Sequence, residues 1–175
     1  MRKLLERFDL QPFFVPIDTQ GASGGHISGD WLNVKDCRAF SIVVIKEAGT
    51  ANDDPTLTVV QATDASGTGS KALNFTEYFS KQSAGSTETL TAVGTWTRNT
   101  QSAGNTIAGN STSAESSLMW VINFDIDELD VDGGFYFVNA TIADTGAAGA
   151  QWACCFLLKE LQYQGAPANH VSLIA

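Results

Sequence analysis

The chain has 175 residues, of which 43% are hydrophobic and 17% charged, and its formal net charge is −9. A chain of this length is expected to form one domain around a single core. The acidic balance argues against free nucleic acid as a partner, because phosphate binding needs clustered Lys and Arg. No segment approaches the roughly 18 apolar residues of a membrane span. Acidic and basic residues also interrupt the N-terminus before a signal peptide develops, so synthesis in a cytoplasm is expected.

The first eleven residues differ in charge from the rest of the chain. Arg2, Lys3 and Arg7 supply three of the ten Lys and Arg residues. We therefore divide the chain into an N-terminal arm, 1–11, and a domain, 12–175. The arm either docks on an acidic neighbour or frays as an ordinary terminus. Within its first eight residues, ending at Phe8, one helical turn is expected.

Short apolar runs then alternate with patches of Gly, Ser, Ala, Asn and Asp. Pro12 and Pro16 mark 12–17 as an edge strand or the start of a strand. Segment 40–46 is apolar on both faces, which is typical of a central strand. Further strands are predicted at 30–34, 56–63, 72–80, 88–97, 135–142 and 151–163. In the strand 72–80, Leu73, Phe75 and Phe79 are expected to share one face.

Segment 117–131 has the clearest period of two. Leu118, Trp120, Ile122, Phe124 and Ile126 fall on one side, which indicates a strand with one buried face. The pattern slips by one residue near Glu128, and this predicts a β-bulge or a short turn. The preceding polar stretch, 101–117, is longer than an ordinary connection and is expected to be a projecting or partner-ordered loop.

Eight or nine strands of this size form two packed sheets. The predicted fold class is therefore all-β: a single-domain, jelly-roll-like antiparallel β-sandwich of about eight strands, or a related Greek-key sandwich.

Catalytic chemistry is poorly supported. His26 and His170 lie in bland polar surroundings, no G-x-S-x-G elbow is present, and no Cys/His spacing matches a zinc site. The expectation is a protein that is not an enzyme and has no cofactor. Cys37, Cys154 and Cys155 are expected to be buried reduced thiols rather than redox or metal groups, with the adjacent pair in two different packing layers.

An acidic run contains Asp125, Asp127, Glu128, Asp130 and Asp132. Carboxylates at this density can bind Ca²⁺, but the EF-hand order is not met, because Leu129 stands where the third acid belongs. Outward positions on a solvated strand explain the same acids without a metal. No metal site is assigned, and cation binding stays an open alternative.

Four tryptophans raise the possibility of sugar binding through exposed rings. Trp120 and Trp152 lie in dense apolar rows and are expected in the core. Trp96 lies near a strand end and is the best candidate for a glycan-binding ring, with a core or subunit-interface position as the alternative.

The whole chain resembles small structural proteins of tailed bacteriophages, especially capsid decoration (cement) proteins with jelly-roll folds. The segments that carry the resemblance are FDLQPFFVPIDTQG, LTVVQATDASGTGSKALNF and DELDVDGGFYFVNATIAD. It implies a virion protein on the capsid exterior, with the major capsid protein as its partner and no active site to carry over.

Arg2, Lys3, Arg7 and Phe8, together with the loop 101–117, are then the expected contact elements for the capsid or a second subunit. Self-association as a dimer or trimer is also expected, because the edge strands of an open sandwich need cover. The alternative function is a tail or host-adhesion component, with carbohydrate binding at Trp96.

Overall fold

A computed structural model describes residues 4–19, 26–49, 55–82, 95–109, 116–143 and 151–162. These residues contain twelve strands and two single-turn 3₁₀ helices, Leu4–Glu6 and Ile126–Glu128. The strands are β1 (Phe8–Asp18), β2 (His26–Ser28), β3 (Leu32–Asn33), β4 (Cys37–Lys46), β5 (Thr56–Ala62), β6 (Lys71–Ala72), β7 (Phe75–Gln82), β8 (Thr97–Gly104), β9 (Thr106–Ala108), β10 (Leu118–Asp125), β11 (Phe137–Ala143) and β12 (Trp152–Leu161).

The strands form two antiparallel sheets. Sheet A has the order β1-β12-β4-β10-β7-β8. Sheet B has the order β2-β11-β5-β6, and β3 and β9 pair with β11 and β5. The predicted all-β sandwich is confirmed. The described strands outnumber the predicted eight because β2, β6 and β9 have only two or three residues each, too few to show a period, whereas the short β3 lies within the predicted strand 30–34.

The central strands of sheet A follow the alternation of their sequence. Phe40, Ile42 and Val44 of β4 lie opposite Phe124, Ile122 and Trp120 of β10, and all six are buried. Phe40 and Phe124 stack at 5.2 Å between ring centroids, and Phe75 meets Phe124 edge-on at 6.0 Å. Leu57, Val59, Val138, Ala140 and Ile142 of sheet B join the same core. The sheets thus pack face to face over one apolar layer.

The predicted slip in segment 117–131 is confirmed as a short turn. β10 ends at Asp125, and the 3₁₀ helix Ile126–Glu128 follows it directly. Ile126 therefore leaves the buried row that Leu118, Trp120, Ile122 and Phe124 form, and is half-buried.

Phe79 differs from its predicted position. The β7–β8 ladder is irregular between the Phe75–Gly104 and Glu77–Thr100 pairs, where β8 has two more residues than β7. Phe75, on one side of this irregularity, is buried. Phe79, on the other side, lies beside Val121 on the outer face of sheet A and is half-buried.

The predicted projecting loop 101–117 is also wrong over much of its length. Residues up to Gly104 continue β8, and Thr106–Ala108 forms β9 on sheet B. β8 is an edge strand with mostly exposed side chains, so it lacks the apolar alternation that marks a buried strand. Its pairing with β7 and the Arg98–Glu77 ion pair hold it in place.

The turn between β5 and β6 depends on glycine. The Asp64 carboxylate accepts hydrogen bonds from the backbone N–H groups of Ser66, at 2.9 Å, and Thr68, at 3.0 Å. Hydrogen bonds from Thr68 hold the pKa of Asp64 below its usual value. Gly67 lies in this turn at φ +77°, and a Cβ there would come within 2.7 Å of the Trp31 indole.

We expect Gly67→Ala to lower the free energy of unfolding by about 1–3 kcal/mol, since it combines left-handed backbone strain with a clash against an aromatic ring. Gly69→Ala is a matched control, because Gly69 has φ +64° but nothing within 4 Å of the added Cβ. Its cost should be limited to the backbone term of about 1 kcal/mol. Urea denaturation measures both variants, and equal costs would show that the Trp31 contact has no effect.

Candidate functional site

Exposed apolar side chains concentrate along one margin of sheet A. Among the described residues, seven large hydrophobic side chains are exposed, and six of them lie on β1, on the 3₁₀ turn before it, or at the start of the neighbouring strand β12. They are Leu4, Leu5, Leu10, Val15, Ile17 and Trp152, and we call them the β1 surface. Leu4 and Val15 are 65% and 62% exposed. A contiguous group of this kind marks an interaction site more often than scattered single residues do.

The sequence of β1 explains why these side chains face outward. β1 forms one edge of sheet A, as Pro12 and Pro16 predicted, and pairs only with β12 in that sheet. Register shifts occur between Pro12 and Phe14 and between Phe14 and Ile17. The shifts leave Phe13 and Phe14 buried and Val15 exposed. The Phe13 carbonyl accepts a hydrogen bond from the Asp30 N–H at 2.9 Å, which fixes the strand across the end of the sandwich.

Two of the predicted contact residues, Arg7 and Phe8, lie in the chain between Leu5 and Leu10 of this surface. Arg2 and Lys3 fall outside the described residues. The Arg7 guanidinium lies 3.7 Å from the Glu160 carboxylate and 5.4 Å from the centroid of the Phe8 ring. Both members of the ion pair are partly exposed, so it stabilises the fold by at most about 1 kcal/mol.

β1 begins at Phe8 and so includes the last four residues of the predicted arm. Phe8 pairs with Glu160, and the Leu161 N–H donates to the Arg7 carbonyl at 2.9 Å. The part of the arm that lies before sheet A is therefore 1–7, and the division into arm and domain stays a prediction.

The tryptophans Trp120, Trp152 and Trp96 differ in burial, and the predictions for them are not all confirmed. Trp120 is buried, as expected. Trp152 was expected in the core and this is wrong, because Ala153, Cys155 and Leu157 take the inward positions of β12 and turn Trp152 outward, where it is 48% exposed. Trp96 is 43% exposed, and the Lys81 ammonium lies 4.9 Å from the centroid of its ring. One face of the Trp96 ring is thus in contact with a cation.

Residues of the acidic run form hydrogen bonds and an ion pair in the turn after β10. The Asp125 N–H donates to the Glu128 carboxylate at 2.8 Å. Asp130 pairs with Lys71 and accepts the Gly133 N–H at 3.0 Å, and the Lys71 contact lowers the pKa of Asp130. Within the described ranges, no group of three or more His, Cys, Asp and Glu is arranged to hold a metal ion.

A shallow cavity of about 290 Å³ opens beside this turn, with Ser41, Asn123, Asp125 and Glu128 among its lining residues. Ser41 donates to the Asn123 side chain at 2.7 Å, and Glu128 is engaged by the Asp125 N–H. The volume of the cavity is at the lower limit of about 300 Å³ for small-molecule pockets. The cavity therefore carries no ligand assignment.

The cysteines occupy different layers, as predicted. Cys155 is buried in the core, whereas Cys154 lies on the other face of β12 and is half-buried. All three thiols are free. Burial raises the pKa of Cys155 and Cys154, and it raises that of Cys37 to about 11. Cys37 also donates a hydrogen bond to the Val34 carbonyl at 2.9 Å. Buried protonated thiols are poor nucleophiles, which fits a packing role.

We expect the protein to lose stability as the pH rises from about 9 to about 11. The unfolded state loses its thiol protons near pH 9, whereas folded Cys37 keeps its proton to about pH 11, so the unfolded state binds fewer protons in that window. Thermal melts across this range measure the effect. Lysines also titrate there, so Cys37→Ser is the control, and its melting temperature should fall less steeply. Identical slopes for the two proteins would contradict the Cys37 assignment.

His26 begins β2, and His170 lies outside the described residues. The described part of the chain contains no helix long and apolar enough to cross a membrane.

The sequence indicated contact residues at the start of β1, but it did not indicate most of the β1 surface. The two prolines identified the edge strand, and an edge strand rich in Leu, Val and Ile was the available signal for an exposed apolar surface. Trp152 was missed because β12 is apolar on both faces, which conceals the register.

No family model matches the chain, and no curated protein matches it either. Among solved structures, the SPBc2 prophage-derived protein YomS is similar with 12% identity and a TM-score of 0.40, over 87% of this chain and 95% of YomS. A structure of the infectious bursal disease virus Gt strain is similar with 12% identity and a TM-score of 0.28, over 95% of this chain and 44% of the viral one. The VP2 subviral particle of infectious bursal disease virus is similar with 12% identity and a TM-score of 0.24, over 97% and 44% of the two chains. Likenesses of this size are too slight to transfer a function to this chain.

Proposed function

We propose that the chain is a non-enzymatic virion structural protein that binds the outer surface of a bacteriophage capsid and stabilises the head, as a decoration protein. Its partner is the major capsid protein, and it makes no contact with nucleic acid or membrane. The β1 surface is the single observation that carries the proposal.

The energetics of the β1 surface favour a protein partner. Exposed apolar area costs about 25 cal/mol per Å², and covering it on binding recovers that free energy. Apolar residues at the centre and charged residues at the rim are usual in protein interfaces. Here Leu10, Val15, Ile17 and Trp152 supply the apolar part, and Arg7 lies in the chain between Leu5 and Leu10. An acidic protein with a net charge of −9 then presents the Arg7 cation where it meets the shell.

Co-sedimentation with matching capsids stripped of accessory proteins tests the proposal. We expect saturable binding at a fixed ratio to the major capsid protein, and decorated capsids that withstand a higher temperature than bare ones. Absence of binding would contradict the capsid assignment. Binding without a gain in heat resistance would contradict the stabilising role.

Removal of residues 1–7 should weaken capsid binding and leave the sandwich folded, since β1 starts at Phe8. Removal of 1–11 is the informative control, because it deletes four residues that pair with β12 and should also lower the melting temperature. Circular dichroism and co-sedimentation separate the two effects. Unfolding of the shorter truncation would show that the arm is part of the fold.

Because Trp96 is exposed, one alternative to capsid decoration remains: a tail or host-adhesion component that binds carbohydrate. A sugar ring would stack on the face of the indole that Lys81 does not cover. A glycan array with the wild-type protein and with Trp96→Ala tests this. Binding that is lost in the variant would favour adhesion, whereas no binding to any glycan would exclude the alternative.

A further inference from the structure

The outer face of sheet A carries an apolar row that crosses five strands. In antiparallel sheets, residues that are direct partners point to the same face. The register places Pro12, Phe156, Val43, Val121 and Phe79 side by side, one from each strand, and the row ends at Arg98 on β8. We call these five residues the central row.

The central row faces away from the core. Its neighbours along β4, Ile42 and Val44, are fully buried, so Val43 points to the opposite side of the sheet. Val43, Val121, Phe156 and Phe79 are each half-buried rather than buried. Sheet B packs against the other face, so this one is the outside of the sandwich.

A second row extends the apolar area. Cys154, Ile45 and Met119 are direct partners, and the row ends at Lys81 on β7. Charged residues stand at two margins of the face: Lys81 and Arg98 lie at the β7–β8 margin, and Asp125 and Glu160 lie in the row that passes through Ala39. The central row and the second row contain no charged residue between these margins. Arg98 is already paired with Glu77.

The face is large enough for a stable interface. Five strands about 4.8 Å apart and about eight residues long, at roughly 3.4 Å per residue, cover about 650 Å², of which the two apolar rows make up roughly half and the rows through Ser41 and Ala39 the rest. Two copies would bury about 1,300 Å² in total, above the roughly 1,000 Å² that a specific interface needs.

The arrangement is also self-complementary. The middle of sheet A lies between β4 and β10, with β12 and β7 as the next strands on either side. A two-fold axis parallel to the strands lays β4 of one copy over β10 of the other, and β12 over β7. Val43 then meets Val121, Ile45 meets Met119, and Phe156 meets Phe79. Like residues of similar size thus face each other across the axis, as a symmetric interface requires.

We propose that this outer face binds a second copy of the chain, so that the protein is a dimer with its two A sheets packed face to face. The dimer goes beyond the capsid-binding proposal and does not depend on it. Each copy has a net charge of −9, so two copies repel, and the uncharged centre of sheet A is a place where they can approach closely. Leu10 and Trp152 of the β1 surface lie on this same face of sheet A, at its β1 margin, where they border the dimer contact.

Sedimentation equilibrium of the purified full chain tests the dimer. We expect a dimer at micromolar concentration whose Kd falls as salt is raised, because salt screens the repulsion between acidic copies. Val121→Asp should raise the Kd by about 100-fold or more, since each symmetric interface would bury two unpaired carboxylates.

Thr58→Asp is the matched control. Thr58 is also a half-buried β-branched residue in a strand interior, but it belongs to sheet B, so the dimer should persist in this variant. Circular dichroism checks that both variants fold, and the conservative Val121→Thr, which adds no charge, should dimerise within about tenfold of wild type and serves if Val121→Asp does not fold.

A monomer at all concentrations would overturn the proposal, as would a dimer that Val121→Asp leaves intact or that Thr58→Asp disrupts equally. Capsid co-sedimentation is a separate measurement. Failure of the dimer with intact capsid binding, or the reverse, identifies which of the two proposals is wrong.

Discussion

Phe124→Ala is expected to lower the free energy of unfolding by about 3–5 kcal/mol. Phe124 is buried between Phe40 and Phe75, in contact with one ring face-on and the other edge-on. The substitution removes both ring contacts and leaves a cavity at the end of the core that the rigid strands around it cannot close. Urea denaturation followed by circular dichroism measures the loss.

Phe156→Ala is the matched control for this prediction. Phe156 has the same side chain and lies in the same sheet, but it is on the outer face and half-buried. We expect a cost below about 1.5 kcal/mol, measured at a concentration where the protein is monomeric. A cost for Phe156→Ala equal to that for Phe124→Ala would contradict the assignment of inner and outer faces.

The double variant Leu10→Asp/Val15→Asp is expected to reduce capsid binding by at least about 100-fold. Both side chains are exposed in the free protein, at 50% and 62%, so the fold does not need them. In the complex, two carboxylates would be desolvated in an apolar contact, and an unpaired buried charge costs several kcal/mol. Co-sedimentation over a range of protein concentrations measures the change in affinity.

Thr58→Asp is again the control, because it adds a carboxylate to the sheet on the other side of the sandwich. It should bind capsids like the wild type. If the double variant binds normally while remaining folded, the capsid contact does not lie on the β1 surface. If Thr58→Asp is equally impaired, added negative charge explains the loss and the location of the contact stays unproven.

The sequence predicted the parts of the fold where one face of a strand is buried and the other is solvated. β10 is the clearest case, because Leu118, Trp120, Ile122 and Phe124 recur at every second position and the slip near Glu128 marked its end. The edge position of β1 also followed from the backbone chemistry of Pro12 and Pro16, which lack the N–H that a sheet ladder uses.

Other parts depend on contacts that a linear pattern does not contain. β8 is a strand because it forms hydrogen bonds with β7. Its exposed polar residues have the composition of a loop, so the sequence did not predict a strand there. The β7–β8 ladder is irregular between Phe75 and Glu77, and Phe79 beyond this point lies on the outer face, with no signal for it in the composition. β12 is apolar on both faces, so only the pairing with β4 shows that Trp152 and Phe156 face outward. The β1 surface and the central row became visible only once these registers were known.

Cryo-electron microscopy of capsids incubated with the purified protein tests the central proposal most directly. The account predicts ordered density on the outside of the shell, with the margin of sheet A that carries Leu10, Val15 and Trp152 turned toward the major capsid protein. Absence of added density would contradict capsid decoration. Density in which sheet B contacts the shell and the β1 surface faces solvent would contradict the proposed contact.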